Sequence, residues 1–229
     1  MRINKYLAHK GYSTRRGADE LIERGKVRIN GRTAKLGDKV EENDTVEVSM
    51  GRNKKTYRYY AYHKPRGIIT HSPGEDEIDI QEALEGELSG VFPVGRLDKD
   101  SSGLMILTDD GRVTDRLLNP EHEHEKEYTV KTARPLRSSF KEKVEQGVAI
   151  EDYVTKPAKV QVHGDNTFSI TLVEGKKHQI RRMVVALFNE VSDLRRTRIM
   201  NIRLGKLAKG AYRPIEGEEL ATFLKSLGL

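Results

Sequence analysis

Cysteine is absent from the 229 residues, so neither a disulfide framework nor a thiolate-bound metal can organise the fold, as suits a reducing compartment. Long apolar runs are missing too. Mean hydropathy is −0.67, and nothing approaches the roughly 20 consecutive apolar residues that span a bilayer. The start, Met1-Arg2-Ile3-Asn4-Lys5, leads into no apolar stretch of signal-peptide length. These absences predict a soluble, cytoplasmic protein. A positive excess is also lacking from most of the chain: residues 59–229 carry 26 Lys or Arg against 27 Asp or Glu, net −1. Residues 1–58 carry 15 against 8, net +7, so the whole excess sits in the first quarter. A small basic module ahead of a nearly neutral body predicts an anchor for a polyanion, joined to a body with another task.

At this length a small domain and a full-sized one can each bury a core. In the first, Ile3, Leu7 and Ala8 recur at helical spacing, and Gly11 offers a left-handed stop. Ser13 reads as the N-cap of a second helix whose apolar face holds Ala18, Leu21 and Ile22, with Gly25 after its end. Arg15, Arg16 and Arg24 ride on that helix. Val27–Ile29 and Asp44–Val48 read as strands, the first closed by an Asn30-Gly31 hairpin turn. The polar, basic stretch at 51–57 reads as a linker between a module at 1–50 and a body at 58–229. In the body, strands are expected at 59–62, 104–108, 127–130 and 168–172, and helices near 80–84, 113–118, 138–145 and 180–188. Strands in succession with few helices between them predict an α+β body on a mixed, mostly antiparallel sheet flanked by helices. No internal repeat is visible.

The most distinctive segment runs Val94-Gly95-Arg96-Leu97-Asp98-Lys99-Asp100-Ser101-Ser102-Gly103-Leu104-Met105-Ile106-Leu107-Thr108-Asp109-Asp110-Gly111. It resembles the central catalytic motif of the pseudouridine synthases, a Gly-Arg-Leu-Asp turn followed by a hydroxyl residue, a glycine and an apolar strand. Three further stretches resemble that superfamily's other motifs, in the expected order: Lys64-Pro65-Arg66-Gly67, Lys126-Glu127-Tyr128 and Gly175-Lys176-Lys177-His178-Gln179-Ile180-Arg181-Arg182-Met183. Near the start, Ser13–Ala18 and Gly25–Gly31 resemble the RNA-binding module named after ribosomal protein S4. Together they resemble the branch that includes the small-subunit synthase A and its large-subunit relatives, with His124–Tyr128 and Arg196–Asn201 nearest the F type of the latter.

A second register competes. Asp98, Asp100, Ser102, Gly103 and Asp109 fall at positions one, three, five, six and twelve of a calcium loop. Such a loop needs a helix on each side, whereas Phe92-Pro93-Val94-Gly95 is an extended entry and Leu104–Thr108 reads as a strand. His122 and His124 lack an apparent third ligand, and no metal is predicted.

The resemblance implies a reaction that breaks the bond from ribose to base nitrogen, turns the base and rejoins it through carbon. No redox change occurs, so no cofactor is expected. Asp98 would act as nucleophile or as base, two routes the sequence leaves open. Both need an ionised carboxylate, and Arg181 is the expected counter-ion in an apolar pocket. The resemblance further implies that Tyr128 packs on the target base, that Leu97 and Ile180 wall the substrate pocket, and that Arg96 can fill the stack a flipped base vacates. Arg15, Arg16, Lys26 and Arg28 would grip RNA backbone. The expected partner is ribosomal RNA, of the large subunit, bound by a monomer. The alternatives are a synthase for small-subunit or transfer RNA, and a non-catalytic RNA-binding assembly factor. Two departures from the family stand out: Asn189, where a left-handed glycine is expected after the helix, and Glu216-Gly217 in place of a hydroxyl cap.

Overall fold

The computed structural model describes residues 1–10, 12–49, 56–70, 77–84, 88–151 and 153–229, except the side chain of Arg16. Gly11 and most of the linker expected at 51–57 lie outside the described residues.

Helices α1 (Ile3–His9) and α2 (Arg15–Glu23) lie against a three-stranded sheet of β1 (Val27–Ile29), β2 (Arg32–Thr33) and β3 (Val46–Val48), in the order β2-β1-β3. Ile3, Leu7, Ala18, Ile22, Val27 and Ile29 form its core. The hairpin forms where Asn30-Gly31 predicts it, both residues adopting positive φ of 50° and 78°. The cap of α2 differs from expectation. The helix begins one residue later than the sequence suggests, so Thr14 rather than Ser13 accepts from the Gly17 amide, at 2.9 Å.

The body contains β4 (Tyr59–Lys64), α3 (Ile80–Ala83), β5 (Phe92–Val94), β6 (Ser102–Thr108), α4 (Arg112–Leu118), β7 (Lys126–Thr132), α5 (Phe140–Gln146), β8 (Ala149–Ile150) and β9 (Tyr153–Val154). It continues through β10 (Lys159–Gly164), β11 (Thr167–Leu172), α6 (Gln179–Ala186), β12 (Val191–Ile199), β13 (Ile202–Arg203), β14 (Tyr212–Pro214) and α7 (Gly217–Ser226). One sheet runs β10-β11-β7-β12-β6-β4-β14, with β5 on β6 and β13 on β12. The β12–β6 pairing is parallel and the rest are antiparallel, the mixed sheet that the strand spacing predicts. All seven residues of β6 are buried; Leu104 and Ile106 join the cluster under α4 and α7, Met105 and Leu107 the opposite one. No helix among the described residues is long and apolar enough to cross a membrane.

Strand β12 has no counterpart among the expected strands. Its sequence, Val-Ser-Asp-Leu-Arg-Arg-Thr-Arg-Ile, carries three arginines and no apolar alternation, yet it lies between β7 and β6 at the centre of the sheet. Asn189 also departs from expectation. Phe188, not Asn189, takes the left-handed conformation, at φ 63°. Asn189 is buried instead, and its amide mimics a strand neighbour for Arg134, accepting from the Arg134 N–H at 3.2 Å and donating to its carbonyl at 2.9 Å. The start of α7 behaves as read, with no side-chain cap from Glu216. The calcium register does not survive: strand β5 precedes it and β6 occupies its second half.

Candidate active site

Strand β5 gives way to Gly95, whose φ of 81° turns the chain beneath Leu118. The turn that follows is closed by the Ser101 amide donating to the Asp98 carbonyl at 3.0 Å. Buried Thr70 fastens it, its hydroxyl donating to the Leu97 carbonyl at 2.8 Å and accepting from the Leu97 amide at 3.1 Å. The chain then enters β6 through Gly103, whose φ of 116° and missing side chain let the Arg196 peptide of β12 pass close by. The backbone that carries Asp98 is thereby fastened just before the parallel pair begins.

Opposite it, the segment 174–178 leads into α6. Buried Glu174 accepts from the Gln179 amide at 2.6 Å and from the Lys156 backbone at 3.0 Å, and Gln179 in turn accepts from the Lys176 backbone at 3.0 Å. His178 adopts φ 52° before the first helical residue and brings its Nε2 to 3.5 Å from Asp98 Oδ1. Tyr128 stands on β7, opposite Arg196 of β12 in the register.

Between these elements lies a cleft of about 640 Å³. Asp98, Tyr128, Arg181, Arg96, Leu97 and Ile180 all line it, so residues up to 85 positions apart in sequence, Arg96 to Arg181, meet in one place. Leu97 and Ile180 are nearly covered, while Asp98 keeps 39% of its side chain exposed. Arg96 is exposed and forms no ion pair among the described residues. Arg181 reaches the site differently from expectation: its guanidinium donates to the Asp100 carbonyl and the Ser101 hydroxyl, both at 3.2 Å, and not to Asp98. It braces the turn that carries the carboxylate. Arg15, Lys26 and Arg28 are exposed on the N-terminal module and are not brought to the cleft.

Sequence reasoning passed over three residues. His178 was visible only as a letter of the last motif. Lys64 was visible in the opening motif without a role; it is fully buried, and its ammonium donates to the carbonyls of Pro65 and Ser101, both at 3.0 Å. Burial pushes it down to about 8, a fall that the charge of Asp98 opposes and that of Arg196 deepens. Arg196 was visible only as the first letter of the F-type stretch Arg196–Asn201, without a role; it is 3% exposed and donates to the Leu104 carbonyl at 2.7 Å and the Arg96 carbonyl at 3.3 Å.

A half-exposed carboxylate between apolar walls, a tyrosine and several cations can hold a nucleobase and act on its sugar. Comparison with known proteins agrees with that chemistry. Residues 58–186 match the family described as RNA pseudouridylate synthase, and residues 1–46 match the S4 domain. The chain is 38% identical to the dual-specificity RNA pseudouridine synthase RluF of Escherichia coli over 98% of its own length and 79% of the relative's. It is 35% identical to the ribosomal small subunit pseudouridine synthase A of Pasteurella multocida, covering 98% of this chain and 100% of that one. Identity to the ribosomal large subunit pseudouridine synthase B of Bacillus subtilis is 33%, over 96% and 93% of the two chains. A crystal structure of a pseudouridylate synthase superposes with a TM-score of 0.71 at 30% identity, covering 99% of each chain. The chain therefore belongs to the pseudouridine synthases, in the branch that carries an S4 domain ahead of the catalytic fold.

Proposed function

We propose that this pseudouridine synthase isomerises a uridine of ribosomal RNA in the cytoplasm, with Asp98 as the catalytic group and the module at 1–50 as its anchor. The linker at 51–57 would join that anchor to a catalytic body at 58–229. The convergence of Asp98, Tyr128 and Arg181 on one cleft carries the reading. The names of relatives that act on the ribosomal subunits support the substrate class. The F-type resemblance at His124–Tyr128 and Arg196–Asn201 favours the large subunit.

A stacked uridine hides the atoms that react, so the nucleotide must leave the stack at a cost of a few kcal/mol. Exposed Arg96, at the mouth of the cleft, is placed to enter the gap. The freed base lies against the Tyr128 ring between Leu97 and Ile180, which keep water from the detached base. Asp98, ionised, either attacks the sugar carbon or removes a proton from the ribose, and the base turns and rejoins through carbon. Arg181 holds Asp100 and Ser101, and so the aim of the carboxylate. The monomer supplies all of these groups.

The reading is tested by mapping pseudouridine in ribosomal RNA from cells that lack the protein. At least one site in the large-subunit RNA should be missing, restored by the wild-type gene and not by Asp98→Asn. A variant neutralised at Arg15, Lys26 and Arg28 should restore it only in part, because backbone contacts supply much of the affinity. An unaltered map in the deleted strain would refute the assignment to ribosomal RNA.

A further inference from the structure

Two cations lie beneath the Asp98 turn, and the mechanism above uses neither. Lys64 ends β4 opposite Gly103 of β6, and Arg196 sits on β12 opposite the same Gly103 from the other side. Both are buried, at 0% and 3% exposure. Among the described residues neither forms an ion pair: Lys64 donates to the carbonyls of Pro65 and Ser101, and Arg196 to those of Leu104 and Arg96 and toward the Met105 sulfur. Burying an unpaired charge costs several kcal/mol after relaxation. Two side by side are more costly still, because each lies in the other's field. That cost needs an offset, and the anions facing Lys64 are Asp98 and Asp100 of the turn.

The hydrogen bonds lead the same way. The Lys64 ammonium holds the carbonyl of Ser101, the residue whose amide closes the Asp98 turn. The Arg196 guanidinium holds the carbonyl of Arg96, two residues before Asp98. The turn is thus gripped on both flanks by cations from below, while Arg181 grips Asp100 and Ser101 from the cleft side.

We propose that Lys64 and Arg196 are positioning residues for the reaction: a buried pair of cations that fastens the Asp98 turn at both ends and presents a positive floor to its carboxylate. The inference rests on Asp98 being the catalytic group. Asp98 and Asp100 face Lys64 from the turn and Arg196 from β12, Arg181 holds the far side of the same turn, and His63 and Arg66 are near neighbours of Lys64 in sequence. Methionine can fill the volume of either side chain without its charge; arginine and lysine preserve charge while changing geometry.

The experiment is single-turnover isomerisation across neutral to alkaline pH, with RNA affinity measured alongside. Lys64→Met and Arg196→Met should each lose between about tenfold and hundredfold in rate while RNA affinity stays unchanged, as expected when a reacting group is misplaced. Arg196→Lys should recover part of that loss. Wild-type activity should decline as the pH passes about 8, where Lys64 gives up its proton, and Lys64→Met should lack that decline. A folded Lys64→Met with the wild-type rate, or with the alkaline decline intact, would overturn the proposal. If Lys64→Met does not fold, the wild-type protein decides. With carbon-13 in its aspartate carboxyls, the Asp98 resonance, identified by its loss in Asp98→Asn, should show an inflection near pH 8; a flat response there overturns the proposal. Full turnover by Asp98→Asn would instead sink the reading on which the inference rests.

Discussion

Asp98 is held by backbone rather than by a side-chain counter-ion of the kind expected. The sequence argued that an ionised carboxylate in an apolar pocket needs a cation, and named Arg181. The geometry places other groups around it: the buried ammonium of Lys64 behind the turn, Arg181 on the turn itself, and the His178 ring with Nε2 at 3.5 Å from its carboxylate. Gly103 makes this possible, because any side chain there would overlap the Arg196 peptide on a backbone already at φ 116°. Gly103→Ala should therefore destabilise the protein by more than about 2 kcal/mol, the sum of a strained backbone and an overpacked contact. Urea unfolding measures it; a midpoint equal to wild type would mean that β12 and β6 can separate at no cost. That Asp98, Tyr128, Leu97 and Ile180 meet in one cleft was legible beforehand, because each sits in a motif to which the resemblance assigned a role. Lys64 and Arg196 were not. A buried cation is rare enough that a sequence reading defaults to solvent for it, and only the third dimension shows what it lies beneath.

At the scale of elements, the legible strands were those with apolar or β-branched patterning, and the four expected body helices all formed within a few residues of their predicted limits. Strand β12 escaped because its arginines are accommodated one by one: Arg195 is exposed, Arg196 is held by carbonyls, and Arg198 by Glu125 and Glu127 across the sheet at 3.0 and 3.3 Å. A charged strand at the centre of a sheet carries no hydrophobic period to detect. It leaves a measurable trace in stability. Burial pushes Lys64 and, on β7, Lys126 down to about 8, with Arg196 adding to the fall in each case. Between about 8 and the ordinary lysine value of 10.5 the unfolded chain keeps protons that the folded one has lost, so stability rises with pH across that window. Tyr59 opposes this only above its ordinary 10.0, because burial and its hydrogen bond to Asp110 raise it in the folded state. The urea midpoint should be higher at about pH 9.5 than at about pH 7.5, with a smaller difference in Lys64→Met. A midpoint that falls between those values would show that the two lysines are better solvated than their burial implies.

Across the whole molecule, the charge asymmetry seen in the sequence coincides with a structural division. The basic excess belongs to the S4 domain and its trailing segment, and the cleft and the synthase-family match belong to the neutral remainder. The two touch at α4: the Arg116 guanidinium donates to the His9 carbonyl at 3.4 Å while also holding the carbonyls of Leu227 and Gly228 at 2.7 and 3.0 Å, and Gly111 leaves room for Thr14. The start of the chain, α4 and the end of α7 are thus joined through one side chain. Under the function proposed above, affinity would come from a basic surface that recognises backbone, and chemistry from the cleft. That division makes the central claim separable from binding. Isomerisation replaces the hydrogen on carbon 5 of uridine, so ribosomal RNA carrying tritium there reports each turnover as released label. The wild-type protein should release tritium in step with pseudouridine formed, and Asp98→Asn should bind the same RNA with unchanged affinity and release none; release by Asp98→Asn at the wild-type rate would contradict the account.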